Sequence, residues 1–149
     1  MTKDAKDERR QHYRHFMRIP TRWIDNDIYA HVNNAVYYTY FDTIINHYLF
    51  KEGDLDPHQG YVIGFALETF CRFLAPIAFP DVLDVGLRIG KLGSSSVRYE
   101  LAIFVDGQVE PCAVGHFVHV FVNRHTKHPE AIQGKLRDAM TRLLIEDEH

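Results

Sequence analysis

Between Val36 and Leu49 the apolar residues come in pairs four positions apart: Val36-Tyr37, Tyr40-Phe41, Ile44-Ile45 and Tyr48-Leu49. That spacing predicts an amphipathic helix whose apolar face is broader than a surface helix needs. Thr39, Asp42, Thr43, Asn46 and His47 supply only a narrow polar side, on which Asp42 reads as a solvated or interface residue. Such a helix has to be covered around most of its circumference. Asn33 or Asn34 is suited to cap its start, because an amide oxygen can accept from an orphan first-turn N–H. Gly53 lies just past its expected end.

The rest of the chain offers strands to cover it. Residues 15–24 read as a first strand, pushed toward an edge or bulge by Pro20. After the helix, residues 61–75 alternate through Phe65, Leu67, Thr69, Cys71 and Phe73 and stop at Pro76. Further strands are expected over 82–92, over 97–105 with Val97, Tyr99, Leu101, Ile103 and Val105 on one face, and over 109–123. Asp106-Gly107 is a two-residue hairpin signal. A closing helix is expected from Pro129 to Leu144, with Ile132, Leu136, Met140, Leu143 and Leu144 on one face and Pro129 in its first turn.

Strand, long helix, four strands and helix, joined by short turns, predict an α+β fold with a curved antiparallel sheet around the long helix. No repeat or linker divides the chain. The expectation is one domain over residues 13–149, preceded by a frayed, solvated arm over residues 1–12.

A formal charge of −3 gives no footprint for nucleic acid, so an anionic ligand would have to meet a local basic patch. No stretch approaches the roughly 20 apolar residues of a membrane span. The segment MTKDAKDERRQH has no apolar core of a secretory signal. Cys71 and Cys112, far apart inside strand-like runs, read as buried free thiols. A soluble, cytoplasmic protein is expected.

The chemistry concentrates in WIDNDIYAHVNNAVYY, residues 23–38, directly ahead of the long helix. Four readings fit it at first. An Asx-rich turn with a capped helix would use these side chains on loop backbone. A calcium loop lacks the central glycine and the distal bidentate glutamate. A zinc site on Asp27 and His31 lacks a third ligand, since His116 and His119 fall on opposite faces of a strand. The other histidines, including His12, His15 and His149, read as surface residues. The fourth reading is catalytic. A carboxylate just ahead of a helix start has unsatisfied N–H groups and the positive end of the helix dipole beside it, which suits attack on a carbonyl.

The pattern D-x-D-x-x-x-H-V-N-N followed by an aromatic-rich helix resembles the acyl-CoA thioesterases of the hotdog fold, typified by 4-hydroxybenzoyl-CoA thioesterase. The resemblance extends over residues 15–145. It implies that Asp27 is the catalytic carboxylate, that Asp25 shapes the loop, and that the Asn34 N–H polarises the thioester carbonyl. His31 and Asn33 would orient Asp27 or fix the loop. Tyr29 stands where related acyl-carrier-protein thioesterases have a catalytic asparagine, and Ala30 replaces a glycine common before the histidine.

The resemblance also implies an acyl-CoA or acyl-carrier-protein thioester as substrate. Lys91, Ser95 and Arg98 of KLGSSSVR would meet the nucleotide, and Tyr37 and Phe65 would lie along the acyl group. It implies no cofactor and no metal. A homodimer or homotetramer is expected, with sites between subunits. The alternative is a hotdog module that binds thioesters without turning them over.

Overall fold

The broad face of the long helix is met by a single five-stranded sheet. The computed structural model describes residues 4–145. Its elements are β1 (His15–Pro20), α1 (Asn34–Glu52), β2 (Val62–Phe73), β3 (Val82–Leu92), β4 (Ser96–Val105), β5 (Ala113–Asn123) and α2 (Gly134–Thr141). The strands lie in the order β1-β3-β4-β5-β2, and every neighbouring pair is antiparallel. This is the α+β hotdog arrangement.

Strand alternation sends one set of residues onto the helix. Leu83, Val85, Leu87 and Ile89 of β3, Val97, Tyr99, Leu101 and Ile103 of β4, and Phe117 and Phe121 of β5 form one core with Phe41, Ile44, Ile45 and Leu49. Phe41, Ile44 and Ile45 have no exposed surface. Each such burial contributes about 1.5–3 kcal/mol, which fixes the helix in the sheet's concavity. Gly115 lets the helix come close to β5, since a Cβ there would stand 2.7 Å from the Phe41 ring.

One edge of the sheet is open. β2 is 12 residues long and among the described residues pairs only with β5, through a bulge between Ala66 and Glu68. Along it Phe65, Leu67, Phe70 and Phe73 are each more than two-fifths exposed.

Five expectations are corrected. β1 ends at Pro20, because Trp23–Asp25 instead close a 3-10 turn in which the Arg22 N–H donates to Asp25 Oδ2. Residues 4–12 are not a solvated arm. Glu8 is buried and bonded to Arg88 and His12, and Arg10 pairs with Asp84 on β3 at 2.7 Å. Asp106-Gly107 makes a tight turn with Gly107 at φ +79°, but β5 begins only at Ala113, opposite Ile103. Pro129 does not open α2. It bridges to Val122, and the Ile132 N–H donates to Ser94 O, so the chain stays extended until the helix starts at Gly134. His15 also departs from a surface role, for its ring packs 4.9 Å from that of Tyr48. The expectations for residues 1–3 and for His149 concern positions outside those described.

Among the described residues, no helix is long and apolar enough to cross a membrane. Both cysteines are free and buried, and burial pushes the Cys71 thiol up to about 12.

Candidate active site

The polar segment before α1 folds into a short two-sided loop. The Asn33 N–H donates to Asp25 O, Asn26 bridges to Val32, and the Asp27 N–H donates to His31 O at 2.9 Å. Ala30 closes the tip, donating to Asp27 O in the left-handed conformation at φ +64°. That is the position where glycine would sit without strain. The loop is tied to the β2–β3 connection by the Val32 N–H on Ile77 O and by the Phe79 N–H on Asn26 Oδ1.

Asp25 and Asp27 face different surroundings. Asp25 is 1% exposed and takes bonds from the Arg22 N–H, the Arg22 guanidinium and the Tyr40 hydroxyl. Burial opposes its ionisation, but these donors outweigh it and hold the carboxyl below the usual range. It is a structural anion. Asp27 is half-buried, and its Oδ1 accepts the Tyr29 N–H at 2.8 Å. Its Oδ2 has no hydrogen-bond partner among the described residues. It borders an open cleft of about 510 Å³ lined also by Trp23, Ile24, Asn26, Ile28 and Ala30.

Asn33, not Asn34, caps the helix, with Asn33 Oδ1 accepting the Ala35 N–H at 2.9 Å. Asn33 O accepts the Val36 N–H. The Asn34 N–H is left without an acceptor among the described residues, and Asn34 is exposed. The loop thus leaves a carboxylate oxygen and a first-turn amide at the same end of α1, both without a partner among the described residues. His31 is exposed and joins Asp27 through its backbone carbonyl. Tyr37 is core, 3% exposed, its ring 4.8 Å from that of Phe73, and burial pushes its hydroxyl up to about 12.

The remaining sequence candidates gather elsewhere. Phe65 pairs with Val120, which pairs with Ser96 beside the β3–β4 turn. Lys91 and Arg98 face each other across that turn, where the Arg98 guanidinium meets Glu100 at 3.1 Å. Ser95 O accepts the Phe121 N–H. The Asp27 loop adjoins the opposite end of β3, so the 11 residues of that strand separate the two groups by roughly 30 Å. A single chain therefore brings Asp27, His31, Asn33, Asn34 and Tyr37 to one end of the sheet, and Phe65, Lys91, Ser95 and Arg98 to the other.

The sequence matches the thioesterase-like superfamily over residues 19–140. The chain belongs to that superfamily. It is a thioester hydrolase with the hotdog fold. Among solved structures, the PA5185 protein of Pseudomonas aeruginosa is 51% identical, with a TM-score of 0.91 over 94% of this chain and 98% of that one. The PA2801 protein of the same organism is 28% identical, with a TM-score of 0.78 over 86% of this thioesterase and 98% of that chain. Slr0204, a 1,4-dihydroxy-2-naphthoyl-CoA thioesterase from Synechocystis, shares the fold at 15% identity and a TM-score of 0.77, over 85% and 94% of the two chains. No curated protein sequence matches.

Sequence reasoning missed two contributors. Arg22 and Tyr40 secure the loop through Asp25, and nothing in their spacing marks them beyond an aspartate three residues after the arginine.

Proposed function

We propose that this thioesterase hydrolyses acyl thioesters of coenzyme A, or of an acyl-carrier protein, with Asp27 as the reacting carboxylate. The observation that carries the proposal is an Asp27 whose Oδ1 is fixed by the Tyr29 N–H, at the end of α1, with Asp27 Oδ2 and the Asn34 N–H both lacking a partner among the described residues. A thioester carbonyl seated there gains negative charge on oxygen as it is attacked, and the Asn34 amide and the helix dipole stabilise that charge. Asp27 either attacks the carbonyl carbon, so that loss of the thiolate leaves a mixed anhydride that water then cleaves to free acid and Asp27, or takes a proton from a water that attacks the carbonyl directly. In both routes the C–S bond breaks as the tetrahedral adduct collapses, and the electron pair leaves on sulfur. A thiolate whose conjugate acid has a pKa of roughly 8.5, by analogy with cysteine, needs little help to depart.

The working unit proposed is a homodimer formed through β2. That strand is long, apolar and open on one side, the kind of edge that invites pairing. Antiparallel pairing of β2 with its own copy is two-fold and isologous. If centred near the bulge, it sets the Phe73 end of one copy beside the Val62 end of the other. The Asp27 loop of one subunit then lies near Phe65, Lys91, Ser95 and Arg98 of its companion, the residues that one chain alone keeps apart. Lys91 supplies a positive charge for an anionic carrier.

The test is thiol release from short, long and aromatic acyl-CoAs and from acyl-carrier-protein thioesters. Release from at least one class is expected. Flat traces across the whole panel would overturn the proposal.

A further inference from the structure

Two buried polar atoms on the concave surface of β4 and β5 have no hydrogen-bond partner among the described residues: the Tyr99 hydroxyl and His119 Nδ1. His119 is 7% exposed, Tyr99 has no exposed surface, and their rings meet edge to face 5.0 Å apart. Their surroundings are apolar, with Phe117 and Phe121 flanking His119 on the same face of β5. Buried polar groups in folded proteins are nearly always paired, so two unpaired ones side by side call for a partner from outside the chain.

The neighbouring strand comes close without a side chain. β2 passes His119 with Gly64, where a Cβ would stand 3.2 Å from Nδ1 and 3.3 Å from the Phe121 ring. Gly64 is exposed on the open edge strand, and with no side chain there only its backbone stands between that edge and the imidazole. Burial favours the neutral ring, against a weaker opposite pull from Asp42 on α1. A neutral imidazole offers one donor and one acceptor nitrogen. Between aromatic walls it suits an uncharged oxygen group better than an anion, which would lose its hydration there.

Its place along the sheet assigns it to the shared site. His119 sits in the row Ala66–His119–Val97, beside the row that holds Phe65 and Ser96. The start of its own α1 lies over Phe73, about 20 Å further along β2. Two-fold pairing of β2 brings the companion's Asp27 end to this row.

We propose that His119, backed by Tyr99, is a specificity-determining residue of the thioesterase: it hydrogen-bonds a hydroxyl or keto oxygen carried on the acyl group away from the thioester carbonyl, while that carbonyl sits at the companion's Asp27. This rests on the acyl-thioesterase reading and adds the substrate class, oxygenated rather than plain hydrocarbon acyl groups. A hydrocarbon in the same place leaves the imidazole unpaired, which is how a polar pocket rejects an analogue lacking the hydroxyl.

The test uses matched pairs such as 3-hydroxydecanoyl-CoA with decanoyl-CoA and 4-hydroxybenzoyl-CoA with benzoyl-CoA. Wild type is expected to favour the oxygenated member of at least one pair by roughly 10-fold or more in kcat/KM. His119→Leu brings that ratio toward one, Tyr99→Phe lowers it less, and His119→Gln, which keeps a donor and an acceptor, retains most of it. No preference in wild type, or a ratio unchanged in His119→Leu, overturns the inference and leaves hydrolysis standing. If no pair releases thiol, the hydrolytic reading fails instead. The same pairs are then read by calorimetric titration, where the ratio of Kd values carries the same expectation and the same refutation.

Discussion

The Tyr40 hydroxyl, in the second turn of α1, donates to Oδ2 of the buried Asp25 at 2.7 Å. The helix thereby holds the loop that carries Asp27. Arg22 completes the clamp, with its N–H on Oδ2 at 2.9 Å and its guanidinium on Oδ1 at 3.0 Å.

Tyr40→Phe removes one donor from a buried carboxylate and leaves the ring in place. The expected cost is about 1–3 kcal/mol of stability by urea denaturation. Thiol-release kinetics should show kcat falling more than KM rises, because the loop loses its register while the cleft remains. Unchanged kcat would mean that Asp27 is placed without Asp25.

The depressed pKa of Asp25 sets an acid limit. Its folded value lies below the ordinary 3.8, so its contribution to stability is present above the unfolded pKa and lost as pH falls through the folded one. Asp25→Asn should therefore destabilise the protein at pH 7, and the gap between variant and wild type should narrow as pH drops below about 4. Melting curves at neutral and acidic pH give the comparison. A gap that stays constant would remove the carboxylate's charge from the account.

Ala30 holds φ +64°, a conformation that disfavours a side chain. Ala30→Gly relieves it at some cost in unfolded-state entropy, and a net stabilisation of about 0.5–1 kcal/mol is expected with activity retained. A loss of stability would place the turn in another conformation in solution.

Leu67 is the extra residue of the β2 bulge and is 65% exposed. Leu67→Lys puts a charge on the open edge, a common protection against strand pairing. Sedimentation should show a shift from dimer toward monomer, with thiol release falling in parallel. An active monomer would contradict a site divided between copies.

The sequence carried the fold well where the period was long and unbroken. The paired apolar positions of α1 and the alternation through Val97–Val105 translate directly into a helix and a strand, because each pattern is local. Pro129 and Asp106-Gly107 misled for the opposite reason. Whether a proline opens a helix or a glycine turn closes a hairpin depends on distant partners, here Val122 for the first and the Ile103–Ala113 register for the second. That residues 25–34 form one loop ahead of α1 was legible because they are contiguous. That Lys91 and Arg98 lie a full strand away from it was not, since strand direction and register are set by the whole sheet. Nor could spacing reveal that Tyr99 and His119 share a surface with no internal partner.

The most direct measurement is thiol release by Asp27→Asn on the best acyl-CoA substrate, alongside calorimetric binding of the same thioester. The account predicts that turnover falls on the order of 100-fold or more while affinity changes little. Turnover near the wild-type rate with Asn at position 27 would contradict it.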